Sequence, residues 1–456
     1  MECFKVYSNE IAGRFDPLYL KNRNSIDNLK TKYQLIKLGD LLKTDVQYGA
    51  NEIAIDRNRG TDIRYIRITD IDEHGILKDD EWKTAQKIED KYLLNEDDIL
   101  FARSGATAGK CFIYKNEYGK SIFAGYLIRF IFNNEKVNPK YIFYYTQLPR
   151  YKLWVLSIQR PSGQPNINSE EFKSFTIPLP FRKIQAHVVA LMDSAYKTKK
   201  TKNAEVQKLL DSIDDYLFDQ LGIKLPELKE QITYAISSGE VQDNRCDAYY
   251  YQPKFEDVEK AIRNGKFEVK RLKDSFKDDL IKGILPNGEE KKGETKVLQI
   301  KNILRNGLVN TSEYVSSKNI FKPEHKIKTG EVIVVITGAT IGKVGLWYSN
   351  EDFYLGGDMV KFVTNDKSNP YYIQSFLLSQ LGQYQLLREV TGATNKHLSP
   401  DDVKEIQIPL PPRPVQDKIA EEVKNRMQRV EELQKEVKEE LEKAKQKVEK
   451  IILGNN

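Results

Sequence analysis

The sequence predicts an α+β protein in which two similar mixed α/β domains are separated by two long helices, which form an antiparallel coiled coil with internal pseudo-two-fold symmetry. Three observations predict this fold. A glycine-rich heptapeptide occurs twice, as SGATAGK at residues 104–110 and as TGATIGK at residues 337–343. The tetrapeptide IPLP also occurs twice, at residues 177–180 and 408–411. After each IPLP, the apolar residues change from two-residue alternation to steps of three or four, which is typical of a helix.

The common order of these motifs indicates two copies of one ancestral domain. The copies lie roughly half the chain apart, a period far longer than that of a solenoid repeat. Each copy is predicted to contain short strands in the same order. They cover residues 33–38, 64–68, 98–102, 111–114 and 126–132 in the first copy, and 267–272, 297–300, 331–336, 344–348 and 359–363 in the second. An Asn-Pro pair then predicts a helix start at 138–139 and at 369–370. The backbone N–H groups of the first helical turn have no hydrogen-bond partner within the helix, so a proline, which lacks this N–H, costs nothing there.

The domain boundaries follow from these changes of pattern. We predict a first domain at 1–180, a central helix at 181–222, a linker and second domain at 223–412, and a C-terminal helix at 413–456. Apolar residues from Val415 to Ile451 step by three or four, as in a coiled-coil seam. A single helix cannot bury its own narrow apolar stripe, so we expect the two long helices to pack against each other. Such a pair of related domains suits an extended, roughly symmetric partner such as DNA, whose half-sites lie about 34 Å apart.

Composition limits the class of protein. The 456 residues, 40% hydrophobic and 30% charged, are enough for two cores. Cys3, Cys111 and Cys246 stand alone, which indicates neither a disulfide framework nor a paired-cysteine metal site. The formal net charge of +6 permits nucleic-acid binding without requiring it. No segment resembles a membrane span or a secretory signal, so we expect a cytoplasmic protein without a membrane partner.

Several motifs together resemble one known family, the DNA-specificity (S) subunits of type I restriction–modification systems. The resemblance covers nearly the whole chain. It rests on the RITDI-like strand at 66–71 and its second copy, the two glycine-rich loops, the NPxYI helix starts, IPLP followed by a glutamine-containing helix, and RCDAYYYQPKF at 245–255.

The resemblance implies a function for each part of the chain. Each domain would be a target-recognition domain that reads one half of a bipartite DNA sequence, and the helices would set the gap between the halves. The helices would also dock methyltransferase (M) subunits, of which we expect two, and motor-nuclease (R) subunits would complete the complex. The S subunit itself is not catalytic in this family. We therefore expect no cofactor or metal in this chain, and S-adenosylmethionine in the partner methyltransferase.

Catalytic motifs are a poor match to the sequence. A Walker A loop needs four residues between its glycine and Gly-Lys, followed by Ser or Thr, whereas the GAT loops have three and are followed by Cys111 or Val344. Asn369-Pro370-Tyr371-Tyr372 lacks the second proline of an amino-methyltransferase motif, so a helix start is the better interpretation. Glu289-Glu290-Lys291 has no Pro-Asp partner for a nuclease site. The four histidines are too far apart in sequence to suggest a zinc site.

Base recognition requires donors and acceptors on loops that reach a DNA groove. The first candidate loop follows the first strand of each domain, and it differs in sequence between copies while its flanks agree. It could equally be a solvated loop that tolerates change. Its candidate residues are Tyr48, Asn51, Arg57, Asn58, Arg59 and Arg64 in the first copy, and Lys282, Asn287, Lys291 and Lys292 in the second.

The second candidate loop precedes each IPLP segment. Its candidate residues are Gln159, Arg160 and Gln164 in the first copy, and Thr394, Asn395 and Lys396 in the second. Arg103, beside the first GAT loop, has Ile336 as its counterpart, so any contact that it makes is not shared. Lys110 and Lys343 on the GAT loops could contact phosphates, unless the loop glycines serve only to shape a hairpin. The basic run from Lys197 to Lys202 could attract phosphates or simply be solvated.

Two other functions remain compatible with the sequence. The duplicated domains could bind protein, with the helices as a dimerisation rod, and the chain would then be an interaction scaffold. Alternatively, the chain could be the specificity subunit of a related restriction system of another type. DNA affinity that falls steeply with salt would separate a DNA reader from a scaffold.

Overall fold

A computed structural model describes residues 30–56, 63–78, 82–158, 165–228, 231, 233–237, 239, 241, 245, 247–285, 295–317, 321–392 and 396–454. The chain divides into two compact units. Unit 1 comprises residues 1–202 with 435–456, and unit 2 comprises residues 203–434. Each unit therefore contains one copy of the repeat and part of each long helix.

Unit 1 is built on a four-stranded antiparallel sheet of order β2-β9-β6-β7. Strand β4 pairs in parallel with β8, β3 pairs with β5, and β1 pairs antiparallel with β10. The strands are β1 (Leu35–Lys37), β2 (Gln47–Tyr48), β3 (Ala54–Asp56), β4 (Arg64–Ile66), β5 (Lys83–Ala85), β6 (Ile99–Ala102), β7 (Cys111–Ile113), β8 (Ser121–Phe123), β9 (Leu127–Phe130) and β10 (Thr176–Pro178). The helices are α1 (Pro139–Tyr145), α2 (Pro149–Ile158), α3 (Ser169–Ser174) and the first half of α4 (Arg182–Leu221).

Unit 2 repeats this plan with a sheet of order β12-β18-β15-β16. Strand β13 pairs in parallel with β17 and antiparallel with β14, and β11 pairs with β19. The strands are β11 (Val269–Arg271), β12 (Ile281–Lys282), β13 (Thr295–Leu298), β14 (Val315–Ser317), β15 (Val332–Val335), β16 (Val344–Leu346), β17 (Phe353–Leu355), β18 (Met359–Phe362) and β19 (Gln407–Pro409). The helices are α5 (Pro253–Arg263), α6 (Pro370–Leu378), α7 (Gln380–Arg388), α8 (Pro400–Glu405) and α9 (Arg413–Leu453), whose end lies in unit 1.

The repeated sheet order confirms the predicted pair of similar mixed α/β domains. The predicted helix starts are also confirmed, because the Asn138 side chain accepts a hydrogen bond from the Lys140 N–H, and that of Asn369 accepts from Tyr371 and Tyr372. Both long helices are present. The sequence interpretation missed the other short helices and several two- or three-residue strands, since such segments are too short to show a period.

The long helices pack against the two domains as well as against each other. In unit 2, α4 and α9 run antiparallel: Arg426 binds the Ser212 hydroxyl at 3.0 Å, and further along α9 Arg429 lies 3.7 Å from Glu205. In unit 1, the Lys202 ammonium contacts Glu436 and Glu440 of α9. The apolar stripe of α9 also joins the domain cores, because Leu441 and Val448 pack in the unit 1 core, and Ile419 and Val423 in that of unit 2. Each unit therefore has a main hydrophobic core that includes segments of both long helices.

Candidate nucleic-acid interface

The two GAT loops connect the antiparallel strand pairs β6–β7 and β15–β16. Two glycines in each loop have positive φ angles, 79° at Gly105 and 88° at Gly109, and 86° at Gly338 and 87° at Gly342. Side chains with a Cβ rarely adopt this backbone conformation, and glycine adopts it without strain. The repeated glycines therefore shape a hairpin connection.

A helix fixes the same carbonyl of each GAT loop. In unit 1 the Tyr151 hydroxyl of α2 donates to the Gly109 carbonyl at 2.7 Å. In unit 2 the Gln383 amide of α7 donates to the Gly342 carbonyl at 2.8 Å. The two units thus hold their loops in the same way with different side chains.

The lysines that end the loops are partly withdrawn from solvent. The Lys110 ammonium donates to the Ile71 carbonyl at 2.8 Å, and burial lowers its pKa. Burial also lowers the pKa of Lys343, and the nearby Arg305 adds to that effect. Phosphate contact by these lysines remains a prediction, and Lys110 already has a backbone partner.

The GAT loop of each unit is paired with the segment that precedes its IPLP strand. In unit 1 the Gly105 N–H donates to the Pro165 carbonyl, and the Ile167 N–H donates to the Arg103 carbonyl. In unit 2 the equivalent bonds run from Gly338 to Lys396 and from Leu398 to Ile336. These bonds span about 60 residues of sequence, and they place Pro165 and Lys396, the described residues at the end of the second candidate loop, beside the GAT loop.

The first candidate loop reaches the same place in unit 1. The Tyr48 hydroxyl donates to the Ser169 hydroxyl at 3.1 Å, and the Arg103 guanidinium lies over the Tyr48 ring, 5.0 Å from its centroid. The backbone N–H of Arg103 donates to the Tyr126 carbonyl. The side chain of Asn51, which is exposed, lies against Gly125. The side chain of Tyr126 is 62% exposed. We call Tyr48, Asn51, Arg103 and Tyr126 the unit 1 patch.

Unit 2 presents different side chains at the corresponding ends of its strands. Lys282 ends β12, as Tyr48 ends β2, and its side chain is exposed. Leu285, three residues later, is 64% exposed. The Thr337 hydroxyl lies 3.3 Å from His397 Nδ1, and the exposed Lys396 precedes that histidine. We call Lys282, Leu285, Thr337 and Lys396 the unit 2 patch.

Close backbone approach fixes where both patches stand. A Cβ added to Gly49 would lie 2.3 Å from the Ala124 carbonyl oxygen, and one added to Gly283 would lie 2.0 Å from that of Gly356. Only glycine permits such an approach at the residue after each first sheet strand. The framework beneath the two patches is therefore shared, while their exposed side chains differ.

The remaining candidate residues fall into two groups. Arg64 is described and is 8% exposed, with its guanidinium donating to the Lys78 carbonyl at 2.9 Å and lying 6.0 Å from the Trp82 ring. It is thus held inside unit 1. The other group lies outside the described residues and comprises Arg57, Asn58, Arg59, Gln159, Arg160, Gln164, Asn287, Lys291, Lys292, Thr394 and Asn395.

Sequence reasoning missed four contributors to these surfaces: Tyr126, Asn166, Ser169 and His397. Tyr126 was only part of a predicted strand, and its counterpart Asp358 shares none of its chemistry. Asn166 and Ser169 act on Arg103 and Tyr48 respectively across long stretches of sequence. A comparison of the copies at the GAT-loop edge would have singled out Tyr126 as unshared, but nothing local marks the other three.

The other motifs have structural roles where they can be seen. Asn369 caps α6 and donates from its amide to Asp417 at 2.7 Å, and Glu289-Glu290-Lys291 lies outside the described residues. Within the described ranges no cluster of His, Cys, Asp and Glu could hold a metal ion. Cys111 is buried, which raises the pKa of its thiol to about 12. None of the described helices is long and apolar enough to span a membrane.

Comparison with known proteins identifies a family. The family model for the type I restriction modification DNA specificity domain matches twice, at residues 30–210 and 264–443. The chain is 22% identical over 369 residues to the type I restriction enzyme MjaVIII specificity subunit of Methanocaldococcus jannaschii, with 79% of each protein covered. It is 26% identical over 161 residues to the StySPI specificity subunit of Salmonella potsdam, which covers 34% of this chain and 35% of that relative.

Two solved structures match most of the length of this chain. One comes from work on complex assembly and conformational transition of the type I R-M system, with a TM-score of 0.48, 16% identity, and coverage of 93% of this chain and 98% of the other. The second is the type I restriction-modification S subunit from M. genitalium, with a TM-score of 0.46, 13% identity, and coverage of 93% and 97%.

Proposed function

Since the chain belongs to the family of the type I restriction modification DNA specificity domain, we propose that it directs a type I restriction–modification complex to a bipartite DNA target. Each unit reads one half-site. The first domain is proposed at 1–180 and the linker with the second domain at 223–412. The helices are proposed at 181–222 and 413–456. The two long helices set the gap between the half-sites.

One observation carries this proposal: the same framework presents two different sets of exposed side chains. The exposed Tyr48 in unit 1 stands where the exposed Lys282 stands in unit 2, and the exposed Asn51 stands where the exposed Leu285 does. A duplicated domain that bound the same ligand twice would be expected to keep its contact residues. Shared loops with unshared surfaces instead suit two readers of two different sequences, because base edges are distinguished by different donors and acceptors.

The partners and chemistry follow from the same proposal. Double-stranded DNA contacts both patches, and two methyltransferase subunits dock on the chain, with motor-nuclease subunits in the full complex. Methyl transfer and DNA cleavage occur in those partners, and S-adenosylmethionine is the methyl donor. The complex acts in the cytoplasm. Among the candidate DNA contacts, the exposed members of the two patches are favoured over the enclosed Arg64.

Methylome sequencing of the source cell with and without this chain tests the proposal. We expect a bipartite methylated motif with two different halves that disappears when the chain is deleted. An unchanged methylome would contradict a specificity role. If the complex instead bound duplex DNA only weakly and with no dependence on salt, a protein-binding scaffold would be the better account.

A further inference from the structure

We propose that Arg103 reads a guanine in the half-site recognised by unit 1, and that Tyr48 is the residue that positions it. This inference rests on the proposed function and deepens it. It assigns one base to one side chain, and to one half of the target only.

The Arg103 side chain is fixed on two sides. Its guanidinium carbon lies 5.0 Å from the centroid of the Tyr48 ring, and its Nε donates to the Asn166 side chain at 3.4 Å. The Tyr48 ring is itself held by the hydrogen bond from its hydroxyl to Ser169. Stacking on an aromatic face and a bond through Nε leave the two terminal nitrogens to form a planar donor pair.

The surroundings favour a base over an internal ion pair. Arg103 is half-buried, and no ion pair joins it to a carboxylate of the described residues. A preorganised arginine fork matches the O6 and N7 acceptors of guanine, which it binds with two hydrogen bonds. Beside it, Tyr126 and Asn51 are exposed and give the patch further apolar and hydrogen-bonding contacts.

Unit 2 has no such fork at the equivalent position. Its counterpart Ile336 is fully buried and offers no donor, and Lys282 replaces the aromatic ring of Tyr48. Both units nevertheless make the same backbone bonds at this point, from Ile167 to Arg103 and from Leu398 to Ile336. Guanine recognition by this mechanism therefore belongs to a single half-site.

The test is the methylome of the source cell carrying wild-type chain, Arg103→Gln, Arg103→Lys, Tyr48→Phe or Tyr48→Leu. With Arg103→Gln, we expect discrimination at one guanine of one half-site to fall by roughly ten- to a hundredfold, while the other half-site stays unchanged. Arg103→Lys keeps the charge but loses the planar fork and the stack, so we expect partial relaxation at the same base. Tyr48→Phe keeps the ring but loses the hydroxyl bond to Ser169, so we expect it to relax the base that Arg103→Gln relaxes only partly. Tyr48→Leu also loses the stack and should relax that base further.

Other outcomes overturn the inference in distinguishable ways. Lower methylation of an unchanged motif in Arg103→Gln would show a phosphate contact instead of base reading. An unchanged methylome in that variant would show no DNA contact. If Arg103→Gln does not accumulate as a folded protein, unrelaxed specificity in Arg103→Lys and Tyr48→Leu would still overturn the inference. The proposed function itself fails only if the wild-type chain specifies no motif.

Discussion

Asp97 and Gly330 occupy equivalent positions, immediately before the acidic residue that precedes β6 in unit 1 and β15 in unit 2. Both have a positive φ, 68° at Asp97 and 88° at Gly330, and Asp97 is the only described non-glycine residue with this conformation. One carboxyl oxygen of Asp97 is buried without a hydrogen-bond partner. The second copy of the domain therefore identifies Asp97 as a strained residue at a position that favours glycine.

We expect Asp97→Gly to raise the free energy of unfolding by about 0.5–1 kcal/mol, because it removes both the strained backbone and a partly buried carboxylate. The matched control is Gly330→Ala. A Cβ at that position meets nothing within 4 Å, so only the backbone opposes it, at about 1–2 kcal/mol. Urea unfolding of the two variants should give shifts of opposite sign. A loss of stability in Asp97→Gly would mean that the carboxylate has a stabilising partner.

The same residue gives a pH dependence. Burial, with the nearby charge of Glu96, raises the pKa of Asp97 above its usual value of 3.8. An acid whose pKa is higher in the folded protein binds its proton more tightly when folded, so its contribution to stability is present at low pH and is lost as pH rises through the raised pKa. The advantage of Asp97→Asn over wild type should therefore grow as pH rises from 3.8 through that window. Urea unfolding at a series of pH values measures it, and a constant difference would contradict the assignment.

At the scale of secondary-structure elements, a buried ion pair holds the start of β6 in unit 1 and the start of β15 in unit 2. We call each of these ion pairs a clamp. In unit 2 the Lys361 ammonium of β18 lies 2.8 Å from Glu331 and donates to the Lys326 carbonyl at 2.6 Å. In unit 1 the Arg129 guanidinium of β9 lies 3.6 Å from Asp98 and donates to the Leu93 carbonyl at 2.7 Å. The clamp ties a strand to its neighbour and to the turn that precedes it.

The unit 2 clamp is the more enclosed, with side chains only 1% and 4% exposed at Lys361 and Glu331. We expect Glu331→Leu alone to cost about 3–5 kcal/mol, because it leaves the lysine charge buried without its counter-ion. The double variant Glu331→Leu with Lys361→Met should recover most of that loss. Hydrogen exchange at the amides of β15 measures it, and additive losses would show that the two groups are not coupled.

Asp98→Asn in unit 1 is the matched control for this clamp. Its partner Arg129 is more exposed, at 12%, and the charges are further apart. Burial raises the pKa of Asp98, so its charged form is less well stabilised by the fold. We expect a smaller loss of stability than in unit 2.

At the scale of the whole molecule, DNA contacts should be separable by unit. We expect Lys282→Gln to weaken binding of every sequence and to reduce the slope of log affinity against log salt by about 0.9, the value for one lost phosphate contact. Its matched control is Lys260→Gln, which removes an exposed lysine of α5 bonded to Glu256 and should leave the slope unchanged. Salt titrations of the complete complex on target DNA measure both. Equal slopes in wild type and Lys282→Gln would exclude a phosphate contact at Lys282.

Local physics explains what could be predicted from the sequence by itself. The two hairpins follow from glycines, which accept positive φ without strain. The starts of α1 and α6 follow from Asn-Pro, and the long helices from a period of three to four residues. Each of these features depends on residues within a few positions of one another. The duplication added long-range information, because one copy predicts the fold of the other.

Only the tertiary structure decided which side chains meet. Tyr48 and Ser169 are 121 residues apart, and Arg103 and Asn166 are 63 apart, yet together they form one surface. Arg64, an equally good candidate by sequence, is enclosed at 8% exposure. Burial and long-range contact depend on how strands and helices pack, and a residue's own neighbours in sequence do not specify that packing.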